Sequence, residues 1–239
     1  MKQRLSAVFG FFSRAELVLL FCSLALVIVP FFIFDKTEYL RLAASLVGVL
    51  ALILCAKGLP IGQIFMIAFC VLYTIISYSF AYYGEMITYF CMSLPMAIFS
   101  LVTWLKNPYE AGRAEVKVGS IGWRERGLLA LITVLVTVAF YFILGYFHTA
   151  NLVVSTLSVT TSFVAAYLTM RRSPFYAFAY MLNDVVLIIL WILASISDIS
   201  YLSITFCFVA FIANDLYGFI HWLTMRKRQT AGQKTPCNA

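Results

Sequence analysis

The chain has 239 residues, 63% of them apolar or aromatic and 11% charged, with a formal net charge of +7. Soluble domains average roughly 45–50% apolar and about 25% charged residues, so this composition and a mean hydropathy of +0.96 exclude a water-soluble enzyme. At about 20 residues per crossing, a chain of this length has room for about eight or nine membrane helices and for no folded domain outside the bilayer.

Taken in order, the apolar runs predict eight spans, at residues 16–34, 40–56, 61–80, 86–105, 127–147, 150–170, 175–196 and 200–223. They are long and unbroken, unlike the ~10-residue alternating segments of a membrane β-barrel. The first follows Lys2, Arg4 and Arg14 as a signal peptide would. It is longer than a typical signal core and lacks a small-residue cleavage site, so it reads as a retained span. Short breaks separate the others, notably Lys57-Gly58-Leu59-Pro60, Tyr82-Tyr83-Gly84-Glu85 and Arg171-Arg172-Ser173-Pro174. Only 106–126 is a hydrophilic loop of any length.

The charges test this topology. With eight spans, every Lys and Arg except Lys36 and Arg41 falls on the side of the two termini. The positive-inside rule then places both termini in the cytoplasm. The same rule accounts for the positive net charge without a nucleic-acid partner. Of the six cysteines, Cys22, Cys55, Cys70, Cys91 and Cys207 lie inside apolar runs and Cys237 near the end, with no C-x-x-C pair. They read as small buried hydrophobes, not as a disulfide or zinc framework. His148 and His221 stand alone, and no P-loop or G-x-S-x-G element is present, so neither an enzyme nor a metal or other cofactor is expected.

Two stretches share a layout. Lys57 and Pro60 recur 114 residues later as Arg171 and Pro174, and Tyr83 and Trp104 recur 118 later as Tyr201 and Trp222. The expected fold is an all-α polytopic membrane protein: an accessory helix (1–37), a three-helix unit (38–106), a cytoplasmic loop with a connecting helix (107–149), a second three-helix unit (150–226) and a cytoplasmic tail (227–239). The odd connecting helix lets both units face the same way, a 3+1+3 arrangement of parallel repeats with a site between them. Basic loops and interfacial tryptophans recur in any polytopic protein, which is the plainer explanation of the same matches.

The most informative residues are those hydrocarbon should exclude. Asn183-Asp184 lies mid-way along the seventh span and Asn214-Asp215 well inside the eighth. A carboxylate at helix centre costs ~2.5–3.5 kcal/mol on insertion scales and usually marks a cavity or a substrate path. Interhelical hydrogen bonding is the structural alternative. On the seventh span Tyr176, Tyr180, Asp184, Leu187 and Trp191 fall on one helical stripe; on the eighth, Phe208, Phe211, Asp215, Gly218 and Trp222 do the same. The third span adds Gln63, Tyr73 and Ser77, and the sixth Ser155, Ser158 and Ser162, hydroxyls able to bond their own backbone. Amides and acids suit hydroxyl groups, and aromatic faces suit a flat ring, more so a cationic one. The expected ligand is a small, flat, hydroxylated solute that is neutral or positively charged.

These residues carry a family resemblance. Leu168-Thr169-Met170-Arg171-Arg172, Tyr180-Met181-Leu182-Asn183-Asp184, Leu190-Trp191 and Asn214-Asp215-Leu216-Tyr217-Gly218-Phe219 with Trp222 resemble the PnuC family of bacterial vitamin transporters. Lys57-Gly58, Leu72-Tyr73, Ile76-Ser77-Tyr78, Leu94-Pro95-Met96 and Trp104 fit the same pattern over roughly residues 40–228. The resemblance implies a 3+1+3 core like that of the SWEET sugar transporters, and facilitated diffusion of nicotinamide riboside across the bacterial inner membrane. It also implies trapping inside by a separate ribosylnicotinamide kinase. On this reading the candidate substrate contacts are Asn183, Asn214, Asp184, Asp215, Tyr180, Tyr73 and Trp191, with Gln63 as a further candidate. Phe69 and Ala97 depart from the family, where many members carry Asn and Gln. Thiamine, another nucleoside-like vitamin, proton-coupled symport and a nucleoside sensor that does not transport remain open, as does a homo-oligomer.

Overall fold

The computed structural model describes residues 12–79, 83–110 and 114–233. Lys2, Arg4, Tyr82, Arg113, Lys234 and Cys237 lie outside the described residues. Among those described, eight helices are long and apolar enough to cross a membrane: α1 Arg14–Asp35, α2 Tyr39–Ala56, α3 Ile61–Ser79, α4 Gly84–Leu105, α5 Trp123–Tyr146, α6 Leu152–Met170, α7 Tyr176–Ser195 and α8 Ile199–Gly232. All eight expected spans are present. The last helix continues to Gln233, so the start of the expected tail is helical.

Neighbouring helices form a closed ring. Helix α3 packs between α2 and α4, α7 packs between α6 and α8, and the ring closes through α4 on α6 and α8 on α2. Helix α5 lies outside it against α6, and α1 lies outside it against α2 and α8. Aromatic and small residues fill the ring, with Val49, Phe69, Tyr73, Trp191, Phe208 and Phe211 in one cluster.

The turns after α2 and α6 are built alike. At one, Gly58 N–H donates to the Cys55 carbonyl at 2.9 Å and Leu59 N–H to Leu54 at 3.1 Å. At the other, Arg172 N–H donates to Thr169 and Ser173 N–H to Leu168, both at 2.9 Å. Each turn passes through a left-handed residue, Gly58 at φ 69° and Arg172 at φ 56°. This pairing satisfies the last carbonyls of a helix that a proline prevents from continuing. The 106–122 loop ties the two turns together. Val116, fully buried, donates to the Gly58 carbonyl, and Gly119 N–H donates to the Arg172 carbonyl, each at 2.9 Å. Gln229 of α8 clamps that loop, accepting from Val118 N–H at 2.8 Å.

Helix α1 is pinned at three levels. Glu16 pairs with Lys57 at 2.9 Å and accepts from the Tyr217 hydroxyl at 2.9 Å. Ser23 meets Asn214 mid-way, and at the far end Asp35 pairs with Arg41 at 3.0 Å. Helix α4 is wound as a π turn over Thr88–Ser93, just before Pro95. Proline has no N–H to return to the ladder and crowds the preceding turn, and a π turn absorbs such an interruption. Before α8, Asp198 accepts from Ser200 N–H at 2.9 Å, which holds its carboxyl below the usual carboxylate range.

Candidate functional site

The six ring helices enclose a cavity of about 740 Å³ of empty space, its mouth included. Every ring helix contributes a wall. Helix α7 supplies Tyr180, Asn183 and Asp184, and α8 supplies Phe208, Phe211 and Asp215. Facing them are Gln63 and Phe69 of α3, with Tyr89 and Met96 of α4.

The π turn matters here. One extra residue per turn rotates the following side chains, and Tyr89 and Ser93 inside it both reach the cavity. Gly48 of α2 matters for the opposite reason: a Cβ there would stand 2.6 Å from the Phe211 ring. Its missing side chain leaves the rings of Phe211 and Phe69 where they are.

The polar groups are arranged in two sets. Asn183 Oδ1 accepts from the Thr161 hydroxyl at 2.8 Å and from Ser162 at 3.2 Å. Those bonds fix the amide plane, and Asn183 Nδ2 has no protein acceptor among the described residues, so it is available to a ligand. The Asp184 and Asp215 carboxyls approach one another across α7 and α8. Asp184 Oδ2 is buried with no hydrogen-bond partner. Gln63, 2% exposed, donates from Nε2 to Cys55 Sγ at 3.2 Å. A cavity with acids, amides and rings but no lining Lys or Arg disfavours anions and suits a cation.

The end of the bundle near the termini is closed. Trp104 of α4 donates its indole N–H to the Thr169 carbonyl of α6 at 2.9 Å, and Trp222 of α8 donates to the Cys55 carbonyl of α2 at 3.0 Å. The two indoles are fully buried with centroids 5.3 Å apart, and Tyr176 packs edge-on to Trp222 at 5.0 Å. Trp222 is therefore internal and not part of an interfacial belt.

Of the eight residues expected at the site, Gln63, Tyr180, Asn183, Asp184 and Asp215 line the central cavity. Three do not. Asn214 turns away to donate to Ser23 of α1 at 2.7 Å and to the Ala210 carbonyl at 2.8 Å. Successive residues on a helix point about 100° apart, so Asp215 faces the cavity while its neighbour faces α1. Tyr73 stands behind Phe69, centroids 4.7 Å apart, and Trp191 lies beyond Leu187; both line smaller cavities towards the opposite end. None of the eight comes from α4, whose Ala97 lines the cavity, as do Tyr89, Ser93, Met96 and Ser100. Their spacing of four, three and four residues is a helical stripe and was the available signal.

Eight membrane-length helices among the described residues, six of them around an acid-lined central cavity, fit the construction of a small-molecule membrane transporter. A family model described as nicotinamide mononucleotide transporter matches residues 38–224, and the chain belongs to that family. The nicotinamide riboside transporter PnuC of Neisseria mucosa is 25% identical over 227 residues, covering 93% of this chain and 86% of that protein. A crystal structure of the vitamin B3 transporter PnuC superposes with a TM-score of 0.79 over 93% of this chain and 96% of that one. At 24% identity that likeness speaks for the fold.

Proposed function

We propose that the protein carries nicotinamide riboside across the bacterial inner membrane by facilitated diffusion, and that a separate cytoplasmic kinase traps the product by phosphorylation. The observation that carries this reading is the central cavity, where Asn183, the Asp184–Asp215 pair and the rings of Tyr180, Tyr89 and Phe211 meet. A pyridinium ring suits the aromatic walls and the acids, and ribose hydroxyls suit the Asn183 amide and Gln63. The excess of basic residues on the side of the termini supports a cytoplasmic location for both.

Alternating access is proposed as a rocking of α2–α4 against α6–α8. The crossed indole bonds support it, since each runs from the third helix of one triplet to the first helix of the other. They also support treating the triplets as parallel repeats of a 3+1+3 core.

The test is uptake of labelled nicotinamide riboside into liposomes holding the purified protein, with binding measured in parallel. Saturable uptake is expected. Binding without uptake would turn the reading into that of a sensor. Thiamine is the second reading, favoured by Phe69 and Ala97, which line the cavity without offering amides. Tighter binding of thiamine in direct competition would replace the first reading with it.

A further inference from the structure

On the side away from the tryptophan floor, the central cavity adjoins a second, smaller chamber between α4, α6 and α7. Tyr89, Ser93, Ser162 and Leu187 line both spaces and form the partition between them. This outer chamber is polar beyond what its apolar helices require. Trp191 is 6% exposed, and its indole Nε1 is buried with no partner. The Thr149 hydroxyl is likewise buried and unpartnered. Glu85, in the first turn of α4, lines the chamber with no hydrogen-bond or ion-pair partner among the described residues. Ser155 and Ser158 donate to backbone carbonyls at 3.0 and 2.9 Å, which leaves their lone pairs for an incoming donor.

Buried polar groups are normally satisfied, and each exception calls for a physical reason. Two orphaned hydroxyl and indole groups and an unpaired carboxyl around one space have a common one: something that enters the chamber satisfies them. We propose that the outer chamber is a second ligand subsite, where a hydroxylated, cationic solute rests before it passes the Tyr89–Leu187 partition into the central cavity. The Glu85 carboxylate meets the positive charge or accepts from a hydroxyl. Trp191 Nε1 donates to a ligand oxygen, and Thr149 does either. The chamber thus repeats the chemistry of the central site, an acid beside a donor and a ring, so the solute exchanges like for like as it moves. A phosphorylated solute would meet Glu85 unfavourably and be turned back there.

The subsite rests on the substrate reading above, and kinetics separates the two. Rapid-filtration binding of labelled nicotinamide riboside to the purified protein gives association and dissociation rates. A residue on the path alters both rates together and leaves the equilibrium constant alone. Glu85→Gln is expected to slow both about tenfold and Trp191→Phe about fivefold, the loss of one hydrogen bond to a charged or neutral group, with Kd within about twofold of the parent. Asp184→Asn, in the central cavity, is expected to raise Kd instead. Unchanged rates in both outer variants would overturn the subsite, and so would a raised Kd with an unchanged association rate, which places both residues in the central site. If the parent binds no nicotinamide riboside, the substrate reading falls, and the same rates measured with thiamine decide the chamber. Binding of neither probe removes both proposals.

Discussion

At the scale of the residue, two identical dipeptides have divided their labour. Asn183 presents an amide to the cavity, held from behind by two hydroxyls, whereas Asn214 fastens α1 through Ser23. Asn183→Ala is therefore expected to weaken nicotinamide riboside binding by roughly tenfold to a hundredfold, the value of one to two buried hydrogen bonds. Its unfolding temperature in detergent should stay near that of the parent. Asn214→Ala should do the reverse, lowering thermal stability through the lost bond to Ser23 while Kd moves by less than about twofold, within the spread of a distant substitution. Titration calorimetry and a thermal melt on both proteins check the pair. Binding lost in Asn214→Ala and kept in Asn183→Ala would reverse the assignment. Gly48 adds a steric test. Gly48→Ala sets a methyl 2.6 Å from the Phe211 ring; the ring, which lines the cavity, must shift, and binding should fall about fivefold or more, as overpacking costs ~1–3 kcal/mol.

At the scale of the element, the floor is a pair of reciprocal latches. Trp104 and Trp222 each reach from one triplet to a terminal carbonyl of the other, and the 106–122 loop spans the same two turns. Trp104→Phe and Trp222→Phe each delete one N–H while keeping most of the ring, so each should weaken closure by ~1 kcal/mol. The readout is alkylation of Cys55, a buried thiol beside the Trp222 bond, located by mass spectrometry. Its rate should rise by about fivefold in either variant, following the population of the open state. Protection equal to that of the parent would mean that the floor does not open there. Helix α1 shows how poorly a uniform apolar run reveals its contacts. Its apolar residues gave no preferred face, and its partners became visible only when Glu16, Ser23 and Asp35 met theirs across the fold.

At the scale of the whole molecule, a carrier that moves a cation without a counter-ion answers to membrane voltage. One charge across 100 mV is worth about 2.3 kcal/mol, so the plateau of nicotinamide riboside uptake into liposomes should rise about tenfold for each ~60 mV of negative-inside potential. An imposed pH gradient at zero potential should leave the plateau unchanged. A response to pH and none to voltage would show the Asp184–Asp215 pair exchanging protons for ligand, and the uniport reading would be replaced.

Composition and the run lengths settled the eight membrane helices, because hydrocarbon tolerates nothing else over such stretches. Basic residues on one side of the spans gave an expected topology, and intramembrane acids and amides an expected neighbourhood for a site, since an apolar medium penalises any polar group without a purpose. Tertiary structure alone decided which way each group faced. Neighbours on a helix point about 100° apart, so no local pattern separated Asn214 from Asp215. Tyr89, Ser93, Met96 and Ser100 form a regular stripe on α4, and only the closing of the ring showed that this stripe faces the cavity. Trp191 and Trp222 look alike in sequence; the ring of helices put one in an outer chamber and the other in the floor, because depth and direction arise only when six helices close around a common space.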